Sequence, residues 1–137
     1  MRSRIEASFN AQALMSTLGA QLVHVEDGEV HILLPFDARL TQQHGYLHAG
    51  AITSVVDSAC GYAALTRAPE DHEVVTVEFK VNFVRPAVGQ NFLAIGRVRT
   101  SGRTLTVCTG EVSATTENQA TVVAIMQATI MNVRRDA

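Results

Sequence analysis

A chain of 137 residues that is 47% hydrophobic and 18% charged has enough apolar side chain to bury a core, and it does not read as a disordered segment. Eleven basic against thirteen acidic residues give a net charge of −2, and there is no tryptophan; clustered cations and a stacking platform, which nucleic-acid binding needs, are not in view. No apolar run is long enough to span a bilayer and the N-terminus lacks a signal-peptide core, so one domain over 1–137 is expected, cytoplasmic and without membrane contact.

In chain order, Ile5 to Leu18 reads as an amphipathic helix with Ile5, Phe9, Leu14 and Leu18 near one face, ended by Gly19. Ala20–Val25 and Glu29–Leu34 read as two strands around Asp27-Gly28, a strong hairpin signal. Pro35 closes the second strand, 37–40 can form a short turn or helix, and 41–47 is a polar, glycine-containing loop. From Ala49 to Thr66 the sequence predicts one long helix. It has no proline and a single charge, Asp57, and Ile52, Val55, Val56, Ala59, Cys60 and Ala63 form one buried stripe. A second stripe, Ser54, Asp57, Ser58 and Gly61, is made of small residues, and a second copy of the chain is its simplest cover.

Four strands should follow. Val74–Val84 alternates, with Val75, Val77, Phe79, Val81 and Phe83 on one face and Thr76, Glu78, Lys80 and Asn82 on the other. Runs at 91–100 and 104–115 are joined by Ser101-Gly102-Arg103, and the last strand, 121–133, is entered through Glu117-Asn118-Gln119. Hairpin connections make the sheet largely antiparallel, an α+β arrangement in which the sheet wraps one long helix.

Asp57 is the anomaly. A carboxylate two turns into a mostly buried helix must be paired or hydrogen-bonded, or its pKa must move. The preceding stretch, His44-Gly45-Tyr46-Leu47-His48-Ala49-Gly50, opens the helix, where the first amides have no intrahelical partner and sit at the positive end of the dipole. Gly50 would let a ligand approach the backbone, and such a place suits a developing oxyanion. His44 and His48 are four apart, but the helix starts after them and no further ligand completes a shell, so no metal is assigned. Cys60 and Cys108 lie in apolar patterns and are expected as buried thiols.

HGYLHAG followed by AITSVVDSACGYAA resembles the motif of hotdog-fold acyl-CoA thioesterases of the phenylacetate-degradation type, in which an acidic residue lies nine positions after a motif histidine; His48 and Asp57 match that spacing. VTVEFKVNFVRPAVGQ and VRTSGRTLTVCTGEV resemble later strands of the same family, so the likeness spans roughly 20 to 133. The resemblance implies hydrolysis of an acyl-CoA thioester, without a cofactor, with Asp57 as general base or as nucleophile. It implies the amide of Ala49 as oxyanion donor, although the family usually has glycine there. It gives His48 a positioning role, places Gln42 near the thioester carbonyl, and lets Thr76 hold the lytic water. It further implies that Asp57 and the oxyanion turn come from different subunits of a homodimer, with two dimers pairing into a tetramer. Arg85, Arg103 and Lys80 are the candidate partners of the CoA phosphates, with Gly50 admitting the substrate. A non-catalytic acyl-CoA-binding module of the same fold is the alternative, and the acyl group itself is not legible.

Overall fold

The computed structural model describes residues 1–136. Its elements are α1 (Arg2–Ala11), α2 (Ala13–Leu18), β1 (Gln21–Glu26), β2 (Glu29–Pro35), a 3-10 turn (Ala38–Leu40), α3 (Ala49–Leu65), β3 (His72–Phe83), β4 (Asn91–Ser101), β5 (Leu105–Thr116) and β6 (Gln119–Arg134). The strands form one six-stranded sheet in the order β1-β2-β4-β5-β6-β3, and every pair is antiparallel. Helix α3 lies across one face of that sheet, which is the hotdog arrangement expected from the chain order. Among the described residues no helix is long and apolar enough to cross a membrane.

The predicted stripe is the core. Ile52, Val55, Val56, Ala59, Cys60 and Ala63 are all buried, against inward residues such as Val30, Ile32, Phe92, Ala94, Val112 and Ile130. Each large aliphatic side chain removed from water here contributes roughly 1.5–3 kcal/mol. Two glycines set how close helix and sheet come. Gly96 and Gly110 are register partners on β4 and β5. A Cβ on Gly96 would lie 2.4 Å from the backbone carbonyl of Ala59, and one on Gly110 would lie 2.6 Å from Val56 Cγ2. The helix therefore rests directly on the sheet backbone at this crossing.

Three expectations need correction. The N-terminal helix is two helices, because Gln12 leaves helical geometry (φ −83°, ψ 103°). That break re-phases the second piece, so Met15 is buried while Leu14 is about half exposed. Gln12 is held there by its own side chain, whose Nε2 donates to Tyr62 Oη at 2.9 Å and whose Oε1 accepts from Ser58 at 3.2 Å. Consequently the small-residue stripe of α3 is partly covered by the same chain at Ser58, rather than left wholly for a second copy.

The second correction concerns β3. Val77 is an extra residue between Thr76, which pairs with Ile130, and Glu78, which pairs with Thr129. Directly opposed residues share a face, so this bulge places Thr76 with buried Ile130 on the helix side. Phe79, Val81 and Phe83 are opposite Ala128, Met126 and Ala124, also buried, whereas Val75 is opposite Met131 on the other face. The strict alternation expected across 74–84 is thus broken at Val77, and Thr76 is not on the polar face. Third, the last strand begins at Gln119 rather than Thr121. Glu117 (φ 48°) and Asn118 (φ 69°) both take left-handed backbone, and they close a two-residue hairpin between Thr116 and Gln119. The Asp27-Gly28 hairpin is as expected, with Gly28 at φ 77°.

Candidate active site

Most of the sequence-predicted residues gather in two places, one at the N-terminus of α3 and one around its middle. At its N-terminus, His48 is the N-cap, and its Nδ1 accepts from the Gly50 amide at 2.7 Å. A ring whose Nδ1 accepts carries its proton, when neutral, on Nε2. His48 thereby fixes the helix start and engages the Gly50 N–H. The Ala49 N–H has no acceptor among the described residues. Ala49 is not among the positive-φ residues, so alanine meets no backbone penalty where the family usually has glycine.

The loop that delivers this turn is built by Gln42. Its carbonyl oxygen Oε1 accepts from His44 N at 2.5 Å and from Tyr46 N at 3.3 Å, while its backbone N–H donates to Tyr46 O at 2.9 Å. Gln42, His48 and Ala49 line a cavity of about 240 Å³ together with Tyr46, Ile52, Phe83 and Arg85. Arg85 Nη1 donates to Val122 O at 2.8 Å, which ties the guanidinium to the rim. Of the three predicted phosphate contacts, only Arg85 is at this cavity. Lys80 lies on the opposite sheet face, beside Arg97, Arg99 and Gln127. Arg103 is in the β4–β5 turn, where its carbonyl accepts from Asn132.

Asp57 is in the other place. It is partly buried, and Thr76 Oγ1 donates to its Oδ1 at 2.8 Å. The bulge at Val77 makes this contact possible. Burial pushes the Asp57 carboxyl above the usual range, and the Thr76 hydroxyl opposes that shift in part. The two residues line a cavity of about 220 Å³ with Ser8, Gln12, Ser58, Gly61, Tyr62, Leu65, Glu73 and Val74. Ser8 and Gln12 were not foreseen as site residues. Ser8 Oγ donates to Tyr62 Oη at 3.3 Å, beside the Gln12 bond, so the N-terminal helix supplies one polar wall. Nothing in the sequence singles them out from the other polar residues of α1 and the break that follows it.

Ala49 opens α3 and Asp57 follows eight positions on, which at 1.5 Å per residue separates their backbones by about 12 Å. One chain therefore holds a carboxylate in one pocket and the unpartnered Ala49 amide of the helix start in another. The two cysteines take no part. Both are buried and unpaired, and Cys108 Sγ donates to Cys60 O at 3.4 Å. Burial raises both thiols, Cys108 to about 12.

Comparison with known proteins agrees with this fold. A crystal structure of a thioesterase family protein from Silicibacter pomeroyi superposes with a TM-score of 0.96 at 44% identity, over 97% of this chain and 98% of that one. The PaaI protein of the E. coli phenylacetic acid degradation operon shares the fold, with a TM-score of 0.83 at 21% identity over 93% and 89%. A provisionally named esterase of Saccharolobus solfataricus is 32% identical over 97 residues, 71% of this chain and 69% of its own length. The sequence profile of the thioesterase superfamily matches residues 44–121, more than half the chain and the stretch that runs from the helix-start turn through Asp57 and the central strands, and the protein belongs to that superfamily: it is a hotdog-fold thioester hydrolase.

Proposed function

We infer that the protein hydrolyses an acyl-CoA thioester to the free acid and CoA, in a homodimer in which Asp57 of one chain faces Ala49 of the partner subunit. The observation that carries this reading is the separation of the two half-sites along α3, since a thioester carbonyl cannot meet both within one chain. The exposed apolar side chains of β3, an edge strand, support a partner. Val75, Val77, Phe79 and Phe83 are each about half exposed, and an unpaired edge of that kind is costly to leave open.

In the reaction, the carbonyl oxygen accepts a hydrogen bond from the Ala49 amide at the positive end of α3, which stabilises the charge that develops there. Asp57 either takes a proton from an attacking water or attacks the carbonyl carbon itself. In both routes the C–S bond breaks, CoA leaves as its thiolate, and water supplies the second oxygen of the acid. Thr76 fixes one carboxylate oxygen, so the other is directed at the pocket. His48 and Gln42 hold the shape of the oxyanion turn, Gly50 keeps its approach open, and Arg85 stands where a CoA phosphate would reach the rim. The dimer is expected to pair with a second dimer through a face not fixed by these residues.

The test is steady-state hydrolysis of a panel of aryl and medium-chain acyl-CoA esters, with the released thiol trapped by a chromogenic disulfide, for wild type and Asp57→Ala. Turnover of at least one CoA ester that is lost in Asp57→Ala is the predicted result. Equal rates in the two proteins would remove Asp57 from the mechanism.

A further inference from the structure

On the sheet face opposite α3, the β1–β2 hairpin brings together two histidines and a carboxylate that the hydrolytic site does not use. His24 and His31 are register partners across the hairpin, and their rings lie 4.6 Å apart at 47°. His31 Nε2 is 2.7 Å from Glu29 Oε2. One ligand atom from each of His24, Glu29 and His31 lies within 4.8 Å of the others. We propose that His24, His31 and Glu29 form a binding site for a borderline divalent metal ion of the zinc class, which clips the edge hairpin.

Donor chemistry points to the ion. Two imidazoles and one carboxylate are an N₂O set, which suits zinc, nickel or copper and is poor for calcium or magnesium. Tetrahedral zinc asks for about 3.3 Å between ligand atoms, so small rotations of these side chains suffice. Arg97 Nε donates to Glu29 Oε1 at 2.7 Å. That bond holds the carboxylate in place and leaves Oε2 for the ion, as an outer partner does at known metal sites. Arg97 brings a positive charge, but it is shared with Glu111 at 3.5 Å. Glu26 Oε1 stands 2.8 Å from His24 Nε2, and Glu29 and Glu111 both contact the Arg97 guanidinium, so the carboxylates near the histidines outnumber this cation and the local charge favours a metal ion. Side chains of His31 and Glu29 are only 21% and 23% exposed and thus already restrained, whereas His24 at 44% leaves an open side for water as the remaining ligand. The site is on the hairpin and not at either catalytic pocket, so its effect is on the stability of the edge and not on the chemistry.

The test is calorimetric titration of zinc chloride into the untagged, chelator-dialysed full-length protein, with a thermal melt beside it. One zinc per chain, saturating in the micromolar range or below, with a rise in Tm, is expected. His24→Ala and His31→Ala should each weaken binding by more than the ~10–100-fold typical of losing an outer partner, and the double variant should lose the Tm response. His72→Ala, on another strand, should retain both. Cobalt substituted for zinc should give visible d–d bands with no thiolate charge-transfer band. Circular dichroism and unchanged esterase rates establish that the variants fold. Absence of saturable binding, equal affinity in the double variant, or a thiolate band that moves the ion to the cysteines would each overturn the site.

Discussion

Asp57→Asn separates what the carboxylate does for chemistry from what it does to the fold. Asparagine has nearly the same volume and can still accept the Thr76 hydrogen bond at Oδ1, so neither a cavity nor an orphaned hydroxyl is created. Only the negative charge and the basic oxygen are lost. Loss of a general base lowers turnover by about 10²–10⁴-fold, equivalent to roughly 3–5 kcal/mol of transition-state stabilisation. Stability should move the other way. The Asp57 pKa is raised in the folded chain, chiefly by desolvation, so the native state binds a proton more tightly than the unfolded chain does. The stability from that proton is fully present below the unfolded value near ~3.9 and is lost as pH rises through the folded pKa. Once the pH is above that folded value the wild type carries the whole penalty of an ionised, partly buried carboxylate, and the neutral amide does not. Thermal melts should therefore show Asp57→Asn with the higher Tm at pH 7 and no advantage at the acid end, while acyl-CoA turnover is lost at both. A lower Tm at pH 7 would refute the claim that burial dominates the electrostatics of this residue.

The acid limb of kcat/KM should lie above the ~3.9 of a free aspartate, and in Thr76→Val, which removes the hydroxyl that lowers the Asp57 pKa, it should move to still higher pH; a limb that stays fixed would detach Thr76 from Asp57. Gly96→Ala drives a methyl into the backbone of α3 and should destabilise the fold by about 3 kcal/mol, at the upper end of overpacking, seen as a Tm drop of roughly 10 °C. Glu117→Asn together with Asn118→Gly supplies the residues that a hairpin with two left-handed positions favours, and should stabilise by about 1 kcal/mol in urea titrations without changing turnover.

The features read correctly from sequence are those written locally. The Ile52 stripe follows helical periodicity, Asp27-Gly28 carries the backbone freedom of its own turn, and the spacing from His48 to Asp57 survives because both are on or at one helix. What escaped depends on distant partners. No proline or glycine marks the break at Gln12; the break exists because its side chain docks on Tyr62 and Ser58 of α3. Valine suits any strand position, so the bulge at Val77 leaves no trace, yet it turns Thr76 toward Asp57. The order β1-β2-β4-β5-β6-β3, which leaves β3 on the edge, is set by packing over the whole sheet. His24 and His31 were within reach, because counting outward from the Asp27-Gly28 turn pairs them directly.

Complementation between two inactive variants tests the shared site most directly. Ala49 is the first helical residue, and His48 before it is extended at φ −64°, ψ 140°, so Ala49→Pro fits the helix start and deletes only the amide proton. Asp57→Asn and Ala49→Pro should each be inactive alone. Mixed by co-refolding, half the dimers pair unlike chains, and each of those rebuilds one intact site out of two, which should restore about one quarter of wild-type turnover. No recovery in a mixture proven to contain the heterodimer would contradict a site shared between subunits.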